Sequence, residues 1–130
     1  MPVVPEYKSN GVIVWHSGVV AGADLIAANM EVFSHKYDDG LLFQLLDFSN
    51  ADELRVLPGE IRTLAEMDRG RVKDTGQFAC VVAPTSTLFG FSRQWSIQAE
   101  EDGFQTHVAR SMDEAIAWFE SKGISVTFDK

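Results

Sequence analysis

From Leu41 to Ser49 apolar side chains follow one another, interrupted at Gln44, Asp47 and Ser49. A strand covered on both faces needs no alternation, so this segment predicts the central strand of a parallel or mixed sheet. The run Phe78 to Ala83 predicts a second strand of the same kind. Ahead of both, Tyr7 to Trp15 reads as a hairpin, with Asn10-Gly11 supplying the two positive-φ positions of a tight turn. Pro5 confines the first strand to an edge. The second strand is expected over Val12 to Ser17, and Gly18 to Gly22 is expected to turn the chain into a helix.

Helical spacing then appears four times. Ile26, Met30, Phe33 and Tyr37 place a helix from about Ala23 to Tyr37, closed by Asp38-Asp39-Gly40. After a polar bend at Asn50 to Glu53, Pro58 opens a second helix whose apolar face holds Ile61, Leu64 and Ala65. The segment from Arg69 to Gln77, with two glycines and four charges, is expected to be a loop. A third helix, capped within Pro84 to Thr87 and running to about Glu101, puts Leu88, Phe91, Trp95 and Ala99 inward. Glu101-Asp102-Gly103 stops it, and Phe104 to Ala109 alternates as a half-exposed strand. In the last helix Ser111 and Glu114 have capping-box spacing, and Gly123 follows as a C-terminal cap. Ile124 to Phe128 reads as a short extra strand or an ordered tail.

The order β-β-α-β-α-β-α-β-α implies one α/β domain over residues 1–130, with four helices packed on a mainly parallel mixed sheet of about five strands and an N-terminal hairpin strand. A chain of 130 residues supports one such core without disulfides. The formal net charge of −8 argues against nucleic acid and anionic membrane surfaces as partners. Cys80, inside an apolar run, reads as a buried free thiol. The N-terminus lacks the pattern of a secretory signal, and no apolar run is long enough to insert in a membrane, so a cytoplasmic protein is expected.

Several segments carry a resemblance to a known superfamily. They are Gly11-Val12-Ile13-Val14 through Gly18-Val19-Val20, Leu45 to Ser49, Val81 to Pro84 followed by Leu88-Phe89-Gly90, and above all Val108 to Phe119. In order and spacing the chain resembles the SpoIIAA-like superfamily, which includes the STAS domains and small stand-alone bacterial proteins of uncharacterised function. The resemblance implies a non-catalytic module acting by protein–protein contact, as a homodimer or with another protein. In the best-known members a serine opening the helix after the central strand is phosphorylated; here Leu54 to Glu60 contains no serine or threonine, so that switch does not carry over. Asp47 and Ser49 are similar to the Asp-x-Ser that ends the family's central strand. The related CRAL-TRIO type of lipid carrier implies a second use, in which an apolar ligand lies between sheet and helices.

Candidate site residues follow from position and chemistry. Ligands of open α/β sheets lie beyond the carboxyl ends of the strands, which selects Ser17, Asp47, Ser49, Asn50 and Thr85; an Asp-x-Ser pair there equally serves as a turn anchor. Phe89 and Phe91 stand about 200° apart on a helix, so both cannot face the same core: either the helix start is wound differently or Phe89 caps the sheet edge, or else one of them is exposed and makes this helix, with Arg93 and Trp95, a partner surface or a movable lid. His16, His35 and His107 are too dispersed for a metal site, and the glycines of 18–22 fit neither a dinucleotide nor a phosphate loop, so no cofactor is expected. A triad of Ser17 or Ser49 with His16 and Asp47 lacks a nucleophile elbow, and no catalytic constellation is read. An interaction module predicts an apolar pairing patch and no internal space; a carrier predicts a cavity of several hundred Å³, the usual range of ligand pockets.

Overall fold

The computed structural model describes residues 2–72, 77–100 and 104–126, with side chains as far as residue 68 in the first of these stretches. The elements run β1 (Val3–Tyr7), β2 (Gly11–Ala21), α1 (Gly22–Ser34), β3 (Phe43–Arg55), α2 (Pro58–Val72), β4 (Gln77–Val82), α3 (Ser86–Ala99), β5 (Phe104–Ala109) and α4 (Met112–Ser121). The chain is an α/β domain with a five-stranded mixed sheet in the order β1-β2-β3-β4-β5 and four helices. β1 is antiparallel to β2 and every other pair is parallel. Crossovers of one hand that always step the same way along a sheet must leave their helices on one face. α1, α2 and α3 accordingly share a face with Val12, Val14, Leu46, Val81 and Val108. On the opposite face Ile13, Phe43, Leu45, Cys80 and Val82 pack against Ala115 and Phe119 of α4 and against Ile124.

The hairpin forms, but not with the turn residues expected. Lys8 N–H donates to the Gly11 carbonyl at 2.8 Å, so Ser9 and Asn10 are the two loop residues. Among the described residues the glycines with positive φ are Gly18, Gly40 and Gly123, not Gly11. Gly11 is required for a different reason: a Cβ there would lie 2.3 Å from the Phe43 ring.

The largest departure from expectation lies at the carboxyl ends of β2 and β3. Residues 18–21 of the expected glycine turn and the polar bend at 50–53 are strand, Gly22 opening α1, and the two extensions pair with each other from Ser17↔Asn50 to Ala21↔Arg55. β3 carries one more residue than β2 between Asp47 and Asn50, and another between Ala51 and Glu53, so the ladder contains two bulges. Gly18 enters this stretch at φ 66°.

Capping matches local chemistry. Asp24 accepts Ala21 N–H at 3.0 Å, Glu60 accepts Leu57 N–H at 2.8 Å and Thr85 Oγ1 accepts Leu88 N–H at 3.2 Å. Ser111 accepts Glu114 N–H, while the Glu114 carboxylate reaches back to Arg110 N–H instead of closing the box on Ser111. α4 ends in a Schellman motif, with Ile124 N–H on Phe119 and Gly123 N–H on Glu120. Ile124 is buried beneath it, and residues 124–126 form no strand; 127 and 128 lie outside the described residues.

α1 stops three residues short of Tyr37, because the His35 ring stacks on Tyr7 at 3.7 Å and draws the chain out of the helix. α2 instead outruns its polar pattern and continues through Val72 into the expected loop, of which 73–76 lie outside the described residues, as do 101–103 after α3. Tertiary contacts of Asp68 hold its later turns, which overrides local propensity.

Candidate cavity under the helical layer

α2 rests on α1 and α3 and meets the sheet at Ala65, which packs with Ala79 of β4 and Phe104 of β5. A helix bridging two others across a sheet leaves room beneath it, and here the room is a partly open cavity of about 90 Å³. Its floor is Val14, His16, Gln44, Leu46, Phe48 and Val81 of the sheet. Leu25, Ala28 and Val32 of α1, Ile61 and Leu64 of α2, and Phe91 and Trp95 of α3 form apolar walls.

Polar groups gather at this cavity. The buried polar residues among those described are His16, Gln44, Asp47, Asp68, Gln77 and Ser92; His16 (2 % exposed), Gln44 (3 %), Asp68 (4 %) and Ser92 (8 %) all line it. Buried polar groups ordinarily find partners within the protein. Asp68 does, accepting Asn29 Nδ2–H at 2.9 Å on one oxygen and Trp95 Nε1–H at 2.7 Å on the other. One carboxylate on α2 thereby ties α1 to α3 over the cavity. Burial pushes its pKa up to about 6, and the two hydrogen bonds only partly offset that rise. His16 Nδ1 bonds the Asp47 carbonyl at 2.8 Å and the ring stacks on Phe48 at 3.8 Å; burial lowers its pKa to about 4 and keeps it neutral. The Gln44 amide and the Ser92 hydroxyl, by contrast, make no hydrogen bond to any described residue.

The residues singled out from sequence divide between this cavity and other places. Phe91 and Trp95 line it. Phe89 does not: it is half-buried, packed near Phe48 and Leu88 beneath the Arg110 guanidinium, 4.4 Å from the ring centre. Neither phenylalanine is exposed, since Arg110, just beyond β5, covers the one that α3 turns away from the cavity. Arg93 is exposed on α3.

Asp47 is buried, and its carboxylate accepts the Ser49 hydroxyl at 2.7 Å and the Ser49 N–H at 3.4 Å. Those bonds span the first bulge, inside a strand and not at a turn. Asn50 is exposed and pairs with Ser17. His16, Asp47 and Ser49 are neighbours, yet the carboxylate holds the serine while the imidazole bonds a main-chain carbonyl, which is not the order of a proton relay. Thr85 caps α3.

Sequence reasoning missed Gln44, Asp68 and Ser92. Gln44 was legible as a polar break in an apolar strand, and Ser92 stands one turn before Trp95, on the side of α3 that carries Leu88 and Trp95. Asp68 carried no such signal, lying in a stretch rich in charge. Among the described residues no group of three or more His, Cys, Asp or Glu is placed to hold a metal ion. No helix among them is long and apolar enough to cross a membrane.

Comparison with protein-family models, with curated proteins and with solved structures finds no significant match.

Proposed function

We propose that the chain is a non-catalytic binding module, SpoIIAA-like in fold, that carries or senses a small and largely apolar molecule held between its sheet and helices α1 to α3. The observation that supports this reading is the convergence of buried polar groups on one partly open apolar cavity, with Gln44 left unpartnered there. The polar atoms of Gln44 and Ser92 are not among those sealed from solvent without a partner, so a ligand that bonds them takes the place of water in the partly open cavity. At about 90 Å³ the space is smaller than the several hundred Å³ expected of a lipid carrier, so the ligand is a small molecule or one end of a larger one. The test is thermal unfolding in the presence of a panel of small apolar and amphiphilic compounds. Some of them should raise the melting temperature of the wild type and leave Ala28→Leu unmoved, because the larger side chain fills the cavity. A panel that moves neither protein, or both equally, refutes the reading.

A second reading keeps the chain as a protein–protein interaction module or homodimer. It is favoured by exposed apolar side chains on the helical layer, Met30, Leu57 and Ile97. Sedimentation over a range of concentrations should then give a dimer that Ile97→Asp dissociates; a monomer throughout removes the self-association.

A further inference from the structure

The groups around the cavity restrict the chemistry of what it holds. Among the described residues that line the cavity Asp68 is the one carboxylate, and no lysine or arginine stands with it there. The other titratable side chain at the cavity, His16, is occupied at Nδ1 by the Asp47 carbonyl and packed on Phe48, so it supplies no counter-charge. A buried carboxylate without a cation is costly, and its pairing with one is correspondingly favourable. Asp68 accepts one N–H on each oxygen, whereas a carboxylate has about four acceptor positions. About two remain. The side chains of Gln44 and Ser92, which bond no described residue, add an amide and a hydroxyl, each able to accept.

An ammonium group carries three donors and no acceptor, which suits this set. The walls include the rings of Phe91 and Trp95, and aromatic rings attract a cation over their faces. A net charge of −8 concentrates cations around the molecule. A cavity of 150 Å³ accommodates benzene, so about 90 Å³ admits roughly four non-hydrogen atoms, with any remainder lying toward the open side.

Resting on the reading of this cavity as a ligand site, we propose that its ligand is a small primary amine with an apolar body, bound as the ammonium ion to Asp68, Gln44 and Ser92. An alcohol of the same size satisfies Gln44 and Ser92 but leaves Asp68 uncompensated. A carboxylate of the same size sets two like charges together with no cation between them.

The Trp95 indole N–H, which donates to Asp68, reports directly on the site. In proton–nitrogen correlation spectra its signal is assigned by comparison with Trp15→Phe and Trp118→Phe, and is followed while n-butylamine, n-butanol and butyrate are added separately at pH 7.5. Butylamine should bind at least about tenfold tighter than butanol, the value of one charge-assisted hydrogen bond, and butyrate should leave the signal in place. Asp68→Asn should bring the amine-to-alcohol ratio close to one. In the wild type the same ratio should fall at pH 5, where Asp68 is mostly protonated and the amine is still charged; this arm stands even if the variant fails to fold. Binding of butanol or butyrate as tight as that of butylamine, or a ratio unchanged at pH 5, overturns the amine assignment and leaves the ligand site standing. A signal unmoved by all three compounds overturns both.

Discussion

Asp68 and His16 carry opposite pH dependences, and the sign of each follows from burial. The Asp68 pKa is raised from 3.8 to about 6, so the folded protein holds this proton more tightly than the unfolded chain does. Its contribution to stability is therefore fully present below pH 3.8 and is lost as pH rises through about 6. Integrated over that window the loss is about 3 kcal/mol. Unfolding of the wild type and Asp68→Asn by urea at pH 4 and pH 8 isolates it, because the other carboxylates cancel in the difference. Wild-type stability relative to the variant should fall by most of that amount, about 2.4 kcal/mol, and a difference independent of pH would show that the carboxyl titrates alike in both states. For His16 the folded pKa is lowered from 6.5 to about 4, so its contribution is present above pH 6.5 and is lost as pH falls through about 4. The His16 ring resonances should keep the neutral imidazole shifts at pH 5.5. A ring already charged there would contradict its burial against Phe48.

The elements show where local sequence stops being informative. Two glycines in β2 make the contrast concrete. Gly18 has φ 66° and open space where a Cβ would stand, so Gly18→Ala meets only backbone strain, about 1 kcal/mol. Gly11 has ordinary φ but the Phe43 ring at 2.3 Å, and Gly11→Ala must displace a side chain of the main core, at about 3 kcal/mol. Denaturant unfolding of both variants should rank them in that order, and the reverse ranking would mean that the bulge and the close contact are wrongly assigned. In sequence both positions read as turns. The order of strands and helices was legible because each apolar run or helical face must be covered by something. The paired extensions of β2 and β3 were not, since glycines and polar residues such as Asn50 and Asp52 are locally indistinguishable from a bend. Their strand conformation rests on pairing with each other and on the Asp47–Ser49 bonds across the bulge.

Over the whole molecule, the cavity lies where α2 bridges α1 and α3, meeting the sheet at Ala65 while Ile61, Leu64 and Asp68 border open space. Nothing in a single helix pattern records such a placement. The apolar faces that seal a core and those that line a cavity have the same periodicity, and only polar residues without partners distinguish them afterwards. Phe91 and Trp95 were therefore legible as inward residues, but not as walls of a space shared with Gln44 on a strand buried in the sheet. The central claim is that this space admits a small molecule, and side-chain methyl and indole NMR of the protein during titration with small amphiphiles tests it most directly. The account predicts shifts confined to Trp95, Leu25, Val32 and Leu46 in the wild type, all absent in Ala28→Leu. Shifts that survive in Ala28→Leu, or that fall instead on the exposed residues Met30 and Ile97, would contradict it.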